Sequence, residues 1–371
     1  MQPDEQKVVT VAASIPHTAS QAKGQIRALK LALSEVENKA GEYNVRLLDL
    51  DDSAGDSWSA DLEEANAVSA AKRTDVVAYY GPFNSGAAKI SMPILNRARM
   101  LQVSGTVTWP GLTKPGYAAG EPMRFYPTGD RHFYRVAPTD ALQGPAGALF
   151  LHSIGIRSVV ILNDGGVFGA GASRLFESKV RDTGIEVLMS GAFQVERITP
   201  MLIKDIVTLN PDAVYAGADD TVGLADLYVG LRDAGYTGVF LGPEFRGTDF
   251  EKMIVQGDRN VYTTSPGVAA RNQKNIKAAQ FLQLYSTVYH EEPDAYALAA
   301  YESMRLILQA IAQSDGTRAG VLASFRNIKD FDSAFGVVNF DTRGDIELNM
   351  ISIFNYANGN WEFVRLIQDN L

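Results

Sequence analysis

Short apolar runs alternate with helical patterns along most of the chain. Strand-like runs lie at Val8–Ser14, Val45–Leu50, Val76–Gly81, Met100–Ser104, Ser158–Asn163, Glu186–Ser190, Ala213–Gly217, Gly238–Gly242 and Val261–Thr264. Helical periodicity fills the gaps at Gln21–Lys39, Asp61–Ala71, Gly86–Arg97, Ala141–Ser153, Ala172–Thr183, Met201–Leu209, Val222–Ala234 and Phe250–Val255. Strands that alternate with helices predict parallel sheets with right-handed crossovers. Ala213–Gly217 is almost wholly apolar, as expected of a strand covered on both faces. After Thr264 the pattern changes. Two long helices are predicted over Gln273–His290 and Ala295–Ser314, with a shorter one near Ala319–Phe325. From Phe335 onward the chain reads as strands and turns, and Asn358-Gly359-Asn360 is a tight-turn signal between two strands.

Two distant stretches repeat one pattern. Asp75–Thr108 and Asp212–Glu244 each run Asp, apolar strand, polar loop, helix, second strand, second polar loop. Ligands of open parallel sheets sit beyond the carboxyl ends of the strands. Each copy therefore offers two candidate ligand loops. The implied architecture is α/β, with two doubly wound parallel-sheet lobes joined by a three-strand hinge and a ligand cleft between them. Crossings between lobes are expected near Arg135–Pro138, Thr263–Gly267 and Asp341–Gly344. That gives an N-terminal lobe of residues 1–136 plus 265–341 and a C-terminal lobe of residues 137–264 plus 342–371.

Composition narrows the function. At 371 residues the chain can build two cores, and 46 % apolar with 21 % charged residues is ordinary for a globular protein. A net charge of −9 with no Lys/Arg cluster argues against nucleic acid. No run approaches the length of a membrane-spanning helix. The absence of cysteine removes disulfides and thiolate chemistry. The four histidines (His17, His132, His152, His290) show no metal-ligand spacing, and G-x-S-x-G is absent. Gly165–Gly171 is a glycine loop between strand and helix, but its spacing is not that of a dinucleotide fingerprint. The expectation is a binding protein that is not an enzyme and carries no cofactor and no metal. The first residues, MQPDEQKVV, lack a basic end and an apolar h-region. Either the protein is cytosolic, or an export signal has been replaced by the initiating Met.

Five segments, in order and at matching separations, resemble one family. They are Tyr80–Gly86 (YGPFNSG), Val103–Thr113 (VSGTVTWPGLT), Leu162–Gly171 (LNDGGVFGAG), Leu241–Glu244 (LGPE) and Phe340–Asp345 (FDTRGD). The chain resembles the type I periplasmic binding proteins, specifically the branched-chain amino-acid (Leu/Ile/Val) receptors of ABC transporters, from about Val8 to its C-terminus. The resemblance implies an extracytoplasmic receptor, periplasmic or extracellular, whose signal peptide is absent from this sequence. It implies a monomer that closes on an amino acid or similar solute and is read by a membrane permease.

Ser85 stands where a helix begins, so it is either a helix cap or part of a carboxylate seat made of free N–H groups and a hydroxyl. The resemblance favours the seat. It also implies that Thr108 offers its N–H to a ligand carboxylate and its hydroxyl to an ammonium, and that Val107 offers its carbonyl to the same ammonium. Glu244 matches the acidic partner of the ammonium. Phe168 falls where the family carries a Tyr over the ligand side chain, in a glycine-flanked loop, or else is buried under the following helix. Tyr296 matches a wall aromatic, or packs within the N-terminal lobe.

Asp219 departs from the pattern, because the Leu/Ile/Val receptors carry an aromatic wall there, and Asp220 follows it. An unpaired buried carboxylate is costly. Asp219 is therefore expected to pair with Arg246 or Lys23, or to meet a polar or cationic ligand group. Trp109 replaces a small polar residue beside Thr108. Gly120–His132 is longer than the family's link, and either decorates the cleft rim or covers the N-terminal lobe. A cytoplasmic sensor of amides or small carboxylates on the same fold is the alternative function.

Overall fold

The computed structural model describes residues 7–19, 22–55, 57–193, 198–219, 221–267 and 269–368. The chain forms two compact units, one of Met1–Ala137 with Ala269–Leu348 and one of Pro138–Val268 with Asn349–Leu371. The third transition lies beyond the Asp341–Gly344 turn predicted for it. A buried ion pair between Arg135 and Asp345, described below, holds residues 342–348 to the first unit.

Unit 1 opens with β1 (Lys7–Ile15), α1 (Ala22–Glu35), β2 (Lys39–Ala40), β3 (Tyr43–Asp51), the small hairpin β4 (Ser53–Ala54) and β5 (Ser57–Trp58), and α2 (Ala60–Lys72). It continues with β6 (Val76–Tyr80), α3 (Ser85–Arg97), β7 (Leu101–Ser104) and β8 (Phe133–Arg135). Unit 2 contains α4 (Asp140–Ser153), β9 (Ser158–Asn163), α5 (Val167–Thr183), β10 (Glu186–Ala192), α6 (Pro200–Leu209), β11 (Ala213–Gly217), α7 (Thr221–Asp233), β12 (Val239–Pro243) and β13 (Val261–Pro266). The chain then adds α8 (Ile276–Tyr289), α9 (Ala297–Ala312), α10 (Arg318–Arg326), β14 (Phe331–Ser333) and β15 (Gly336–Val338) to unit 1. It ends in unit 2 with β16 (Ile351–Ala357) and β17 (Asn360–Ile367).

The main sheet of unit 1 has the order β2-β3-β1-β6-β7-β8, and that of unit 2 β10-β9-β11-β12-β13-β16-β17. The parallel strands of each follow one plan, in which the second strand lies outside the first and the third lies on its other side. Strand order reverses between β1 and β6 in one sheet, and between β9 and β11 in the other. Crevices at such switch points are the ligand positions of doubly wound sheets. The two repeats seen in the sequence are β6-α3-β7 and β11-α7-β12, which occupy equivalent places in the two sheets. Their leading aspartates tie the strand starts. Asp75 accepts from Thr10 Oγ1 at 2.8 Å, and Asp212 accepts from the N–H groups of Arg157 and Ser158 at 2.8 and 3.1 Å. Unit 2 is not purely parallel, because β13 pairs antiparallel with β16 and β16 with β17. Asn358 and Gly359 turn that hairpin in the left-handed region, as the Asn-Gly signal predicts.

Helices cover both faces of each sheet. In unit 1, α1 packs on α9, and their apolar faces join β1, β6 and β7 in the largest core. In unit 2 the two faces form separate cores, one under α6 and α7, the other under α4 and α5. Two predicted helices differ in extent. Phe250–Val255 is only a short 3-10 turn, Asp249–Met253. The helix predicted from Ala172 begins at Val167, so Gly169 and Gly171 are helical residues. The reason is close approach. A Cβ on Gly169 would lie 2.2 Å from Asp164 Oδ1 and 2.5 Å from the Gly217 carbonyl oxygen, so only glycine lets the first turn of α5 rest on β11. Gly169→Ala should therefore destabilise unit 2 by about 1–3 kcal/mol. Urea unfolding followed by circular dichroism measures this, and an unchanged midpoint refutes the packing reason.

Candidate functional site

The loops after β6 and β7 in unit 1 are laced by short side chains. Ser104 Oγ donates to the Pro82 carbonyl at 2.9 Å and accepts from the N–H groups of Thr106 and Val107, each at 3.2 Å. Thr106 Oγ1 donates to the Phe83 carbonyl at 2.8 Å. Ser85 is the first residue of α3, and Asn84 holds the cap position, so Ser85 is not the cap. Its Oγ accepts from the Trp109 N–H at 3.2 Å. A hydroxyl carries one donor and two acceptor sites. Held this way, Ser85 keeps its own proton as a donor at a helix N-terminus, which favours an anion.

Val107, Thr108 and Tyr296 gather at the same end of the sheet. Val107 and Thr108 are buried in the loop that Ser104 and Ser85 hold. Tyr296 precedes α9 and stacks edge-on against Phe83, with ring centroids 5.7 Å apart. Trp109 turns into its own surroundings instead. Its indole N–H donates to Glu121 Oε2 at 2.8 Å, Tyr117 meets the ring edge-on, and Lys89 sits 5.1 Å from the ring centre. Lys89 also pairs with the buried Glu121 at 2.7 Å. The segment Gly120–His132 thus covers unit 1. Phe125, Tyr126 and His132 are buried there, and Asn96 on α3 meets His132 Nδ1 at 2.9 Å.

The loop between β7 and β8 also rests on Arg135, which the sequence marks only as the start of a crossing between lobes. Arg135 is fully buried at the end of β8. Its Nε donates to Asp345 Oδ1 at 2.7 Å. Its remaining nitrogens donate to Thr113 Oγ1 and to the carbonyls of Trp109 and Val107, the last two at 2.7 and 3.4 Å. Lys114 lies 3.2 Å from the other oxygen of Asp345, so two cations share one carboxylate. Burial pushes the Asp345 carboxyl up, but the charges of Arg135 and Lys114 and hydrogen bonds from Arg135 and Thr113 outweigh it and hold the group below its usual range. The F-D-T-R-G-D turn places this carboxylate. Asp341 Oδ1 accepts from the N–H groups of Arg343 and Asp345, and Gly344 passes in the left-handed region where a Cβ would lie 2.2 Å from the Phe133 carbonyl oxygen.

In unit 2 the loops after β9 and β11 are joined by Asp164. Its carboxylate accepts from the Gly166 N–H at 2.8 Å and from the Asp219 N–H at 2.7 Å. Phe168 is buried in the first turn of α5, not in the loop predicted for it. The Asp219 side chain is exposed, so the desolvation cost that its sequence position suggested does not arise here. Asp220 lies outside the described residues. Arg246 stacks over the Phe354 ring, 4.0 Å from its centre.

Glu244 follows β12 directly, with its N–H donating to the Thr264 carbonyl at 2.8 Å. Its φ is +60°, a conformation that costs a residue with a Cβ about 1 kcal/mol or more. Asp140 and Gln143 on α4 are buried, and Gln143 Nε2 donates to Thr264 Oγ1 at 3.0 Å. Burial, and then the carboxylates of Asp140 and Glu244, push the Tyr215 hydroxyl well above its ordinary range. Asp140 and Glu244 therefore both lie within electrostatic reach of the Tyr215 hydroxyl in unit 2. The candidates consequently form two sets, Ser85, Val107, Thr108 and Tyr296 in unit 1 and Phe168, Asp219 and Glu244 in unit 2. Among the described residues no cluster of acids and histidines is arranged to hold a metal, and no helix is long and apolar enough to cross a membrane.

The model of the periplasmic binding protein family matches residues 12–351. The chain belongs to the periplasmic binding protein family. A leucine-, isoleucine-, valine-, threonine- and alanine-binding protein from Pseudomonas aeruginosa is 24 % identical over 330 residues, 86 % of this chain and 82 % of the relative. A leucine-binding protein from Thermotoga maritima superposes with a TM-score of 0.83 at 23 % identity, covering 98 % of this chain and 99 % of the other. A solute-binding protein of an ABC transporter from R. palustris, solved with benzoate, gives 0.79 at 16 % identity and covers 98 % of each chain. At these identities the solved structures establish the fold. They do not choose the ligand, since one fold holds both kinds of solute.

Proposed function

We propose that this chain is the extracytoplasmic solute receptor of an ABC importer and binds an amino acid or a close analogue. The observation that carries the reading is the seat at Ser85 and Thr108, where a donor hydroxyl and the N-terminus of α3 suit a carboxylate. Family membership and the amino-acid-binding relative support it over the cytoplasmic sensor. In this reading Ser85, Thr108 and the Val107 carbonyl fix the α-carboxylate and ammonium. Hinge closure would bring Phe168, Asp219 and Glu244 onto the same ligand and exclude water, which strengthens polar contacts. Tyr296 would supply an aromatic wall. The partner is a membrane permease that reads closure.

A thermal-shift screen over amino acids, amides and aromatic carboxylates tests the ligand class, because a ligand that binds only the native state raises the melting temperature. Calorimetry then measures the affinity of each hit. Ser85→Ala or Thr108→Ala should weaken binding by about 1–3 kcal/mol through loss of a buried hydrogen bond. A screen in which only benzoate-like acids bind overturns the amino-acid assignment, and unchanged affinity in both variants overturns the seat.

A further inference from the structure

Arg135 connects three segments that are distant in sequence. It closes β8 two residues before the chain passes into unit 2, and Asp345 lies three residues before the last passage, at Leu348. The backbone joins them as well, since the Arg135 N–H donates to the Gly344 carbonyl at 3.0 Å. The third segment is the candidate ligand loop, whose carbonyls at Val107 and Trp109 and hydroxyl at Thr113 all receive the same guanidinium. A planar fork with five N–H groups can satisfy acceptors in several directions, which an ammonium cannot do in the same geometry.

The bonds to the two carbonyls are unequal. At 2.7 Å the Trp109 carbonyl is firmly held, whereas 3.4 Å to Val107 is long and weak. The Val107 carbonyl is thus oriented yet keeps acceptor capacity for a ligand. Asp345 offsets part of the positive charge beside this loop. Lys114, bound to the same carboxylate, leaves the trio with one net positive charge, and that favours an anion at the neighbouring Thr108 N–H.

We infer that Arg135 is a positioning residue for ligand binding, which fixes the Val107–Thr113 loop and, through Asp345, ties that loop to the two segments leading into unit 2. Arg135 does not touch the ligand itself. The inference rests on the seat assigned to Val107 and Thr108, and its test separates the two.

Arg135→Lys keeps the charge and removes the fork, and Thr113→Val removes one partner with little change of volume. Hydrogen exchange by mass spectrometry on the ligand-free proteins should show amides of residues 106–113 exchanging at least tenfold faster in both variants, with those of β1 and α1 unchanged. L-leucine binding by calorimetry, well below the melting temperature, should weaken at least tenfold in Arg135→Lys. If Arg135→Lys does not fold, Asp345→Asn takes its place. Loop exchange equal to wild type in the folded variants overturns the inference, whatever happens to the melting temperature. Uniformly faster exchange across unit 1 also overturns it, because it marks a packing role alone. A wild type that fails to bind L-leucine counts against the ligand assignment, while the exchange measurement still decides the role of Arg135.

Discussion

Glu244→Gln should weaken amino-acid binding by roughly 10- to 100-fold, while the ligand-free protein melts close to wild type. A hydrogen bond to a charged group contributes about 1.5–3 kcal/mol, and the substitution removes the charge without changing shape. The backbone supplies a second, independent reason to expect function here. Glu244 occupies the left-handed region at the end of β12, where a side chain is a liability, yet Thr264 and Thr263 hold the chain in place through the N–H groups of Glu244 and Phe245. Strain of this kind persists where the surroundings over-determine it, and it concentrates at ligand sites. Glu244→Gly makes the contrast sharper. It relieves the backbone, so stability should change by no more than about 1 kcal/mol, but it should lose at least as much affinity as Glu244→Gln. Calorimetry with a ligand identified by screening, paired with thermal melts, reads both effects. Wild-type affinity in both variants removes Glu244 from the site.

The folded state should lose stability as pH rises from about 4.5 to above 8, with Glu63 as the main cause. Glu63 on α2 is fully buried, accepts from Ser14 Oγ at 2.6 Å and meets the Tyr79 hydroxyl at 3.1 Å. Burial, then the nearby Asp52, push its carboxyl up to about 8. Asp52 is also buried, and burial pushes it up to about 7. The sign follows from proton counting. Both groups stay protonated in the native state at pH values where the unfolded chain has released the proton, so the native state binds more protons and is favoured at lower pH. Their stabilisation is fully present below the unfolded values, fades as pH passes 7 and 8, and amounts to about 3–5 kcal/mol for Glu63. Asp345 and Asp75 work in the opposite sense, because both are held below the usual range, Asp75 at about 2 and led by its hydrogen bond from Arg73. Their contribution is lost only as pH falls below about 4. Buried His132, held down to about 3 by desolvation, costs stability as pH falls below about 6.5 and offsets part of the carboxyl trend there, so the steepest decline in melting temperature is expected above about pH 6.5. Glu63→Gln should flatten the decline on the alkaline side, and a melting temperature that rises from pH 5 to 9 in wild type contradicts this account.

The Glu63 network reaches, through Ser14, the strand end that leads into a candidate ligand loop. The Ser14 hydroxyl that donates to Glu63 belongs to the end of β1, and the Ser14 carbonyl faces Gly81, where a Cβ would lie 2.3 Å away. Gln102 Nε2 donates to the Gly81 carbonyl at 3.1 Å from the neighbouring strand β7.

Apolar periodicity was enough to read the alternating strands and helices, the repeat of β6-α3-β7 in β11-α7-β12, and the terminal hairpin at Asn358-Gly359. Each depends on neighbours within a few residues, or on one pattern recurring, and both are written along the chain. The loop ends that carry Ser85, Thr108 and Glu244 were legible for the same reason, since they follow directly from where strands stop. Three things were decided only by folding. Gly165–Gly171 reads as a flexible loop, but contact with β11 makes its second half the first turn of α5. Asp219 looks like a costly buried carboxylate, but its N–H is pinned by Asp164 and the residue is exposed. Arg135 is one basic residue in an apolar run, and its partner Asp345 is 210 positions away. No local period encodes such a pairing, because it exists only once the parallel sheet has brought the end of β8 beside the turn at Gly344.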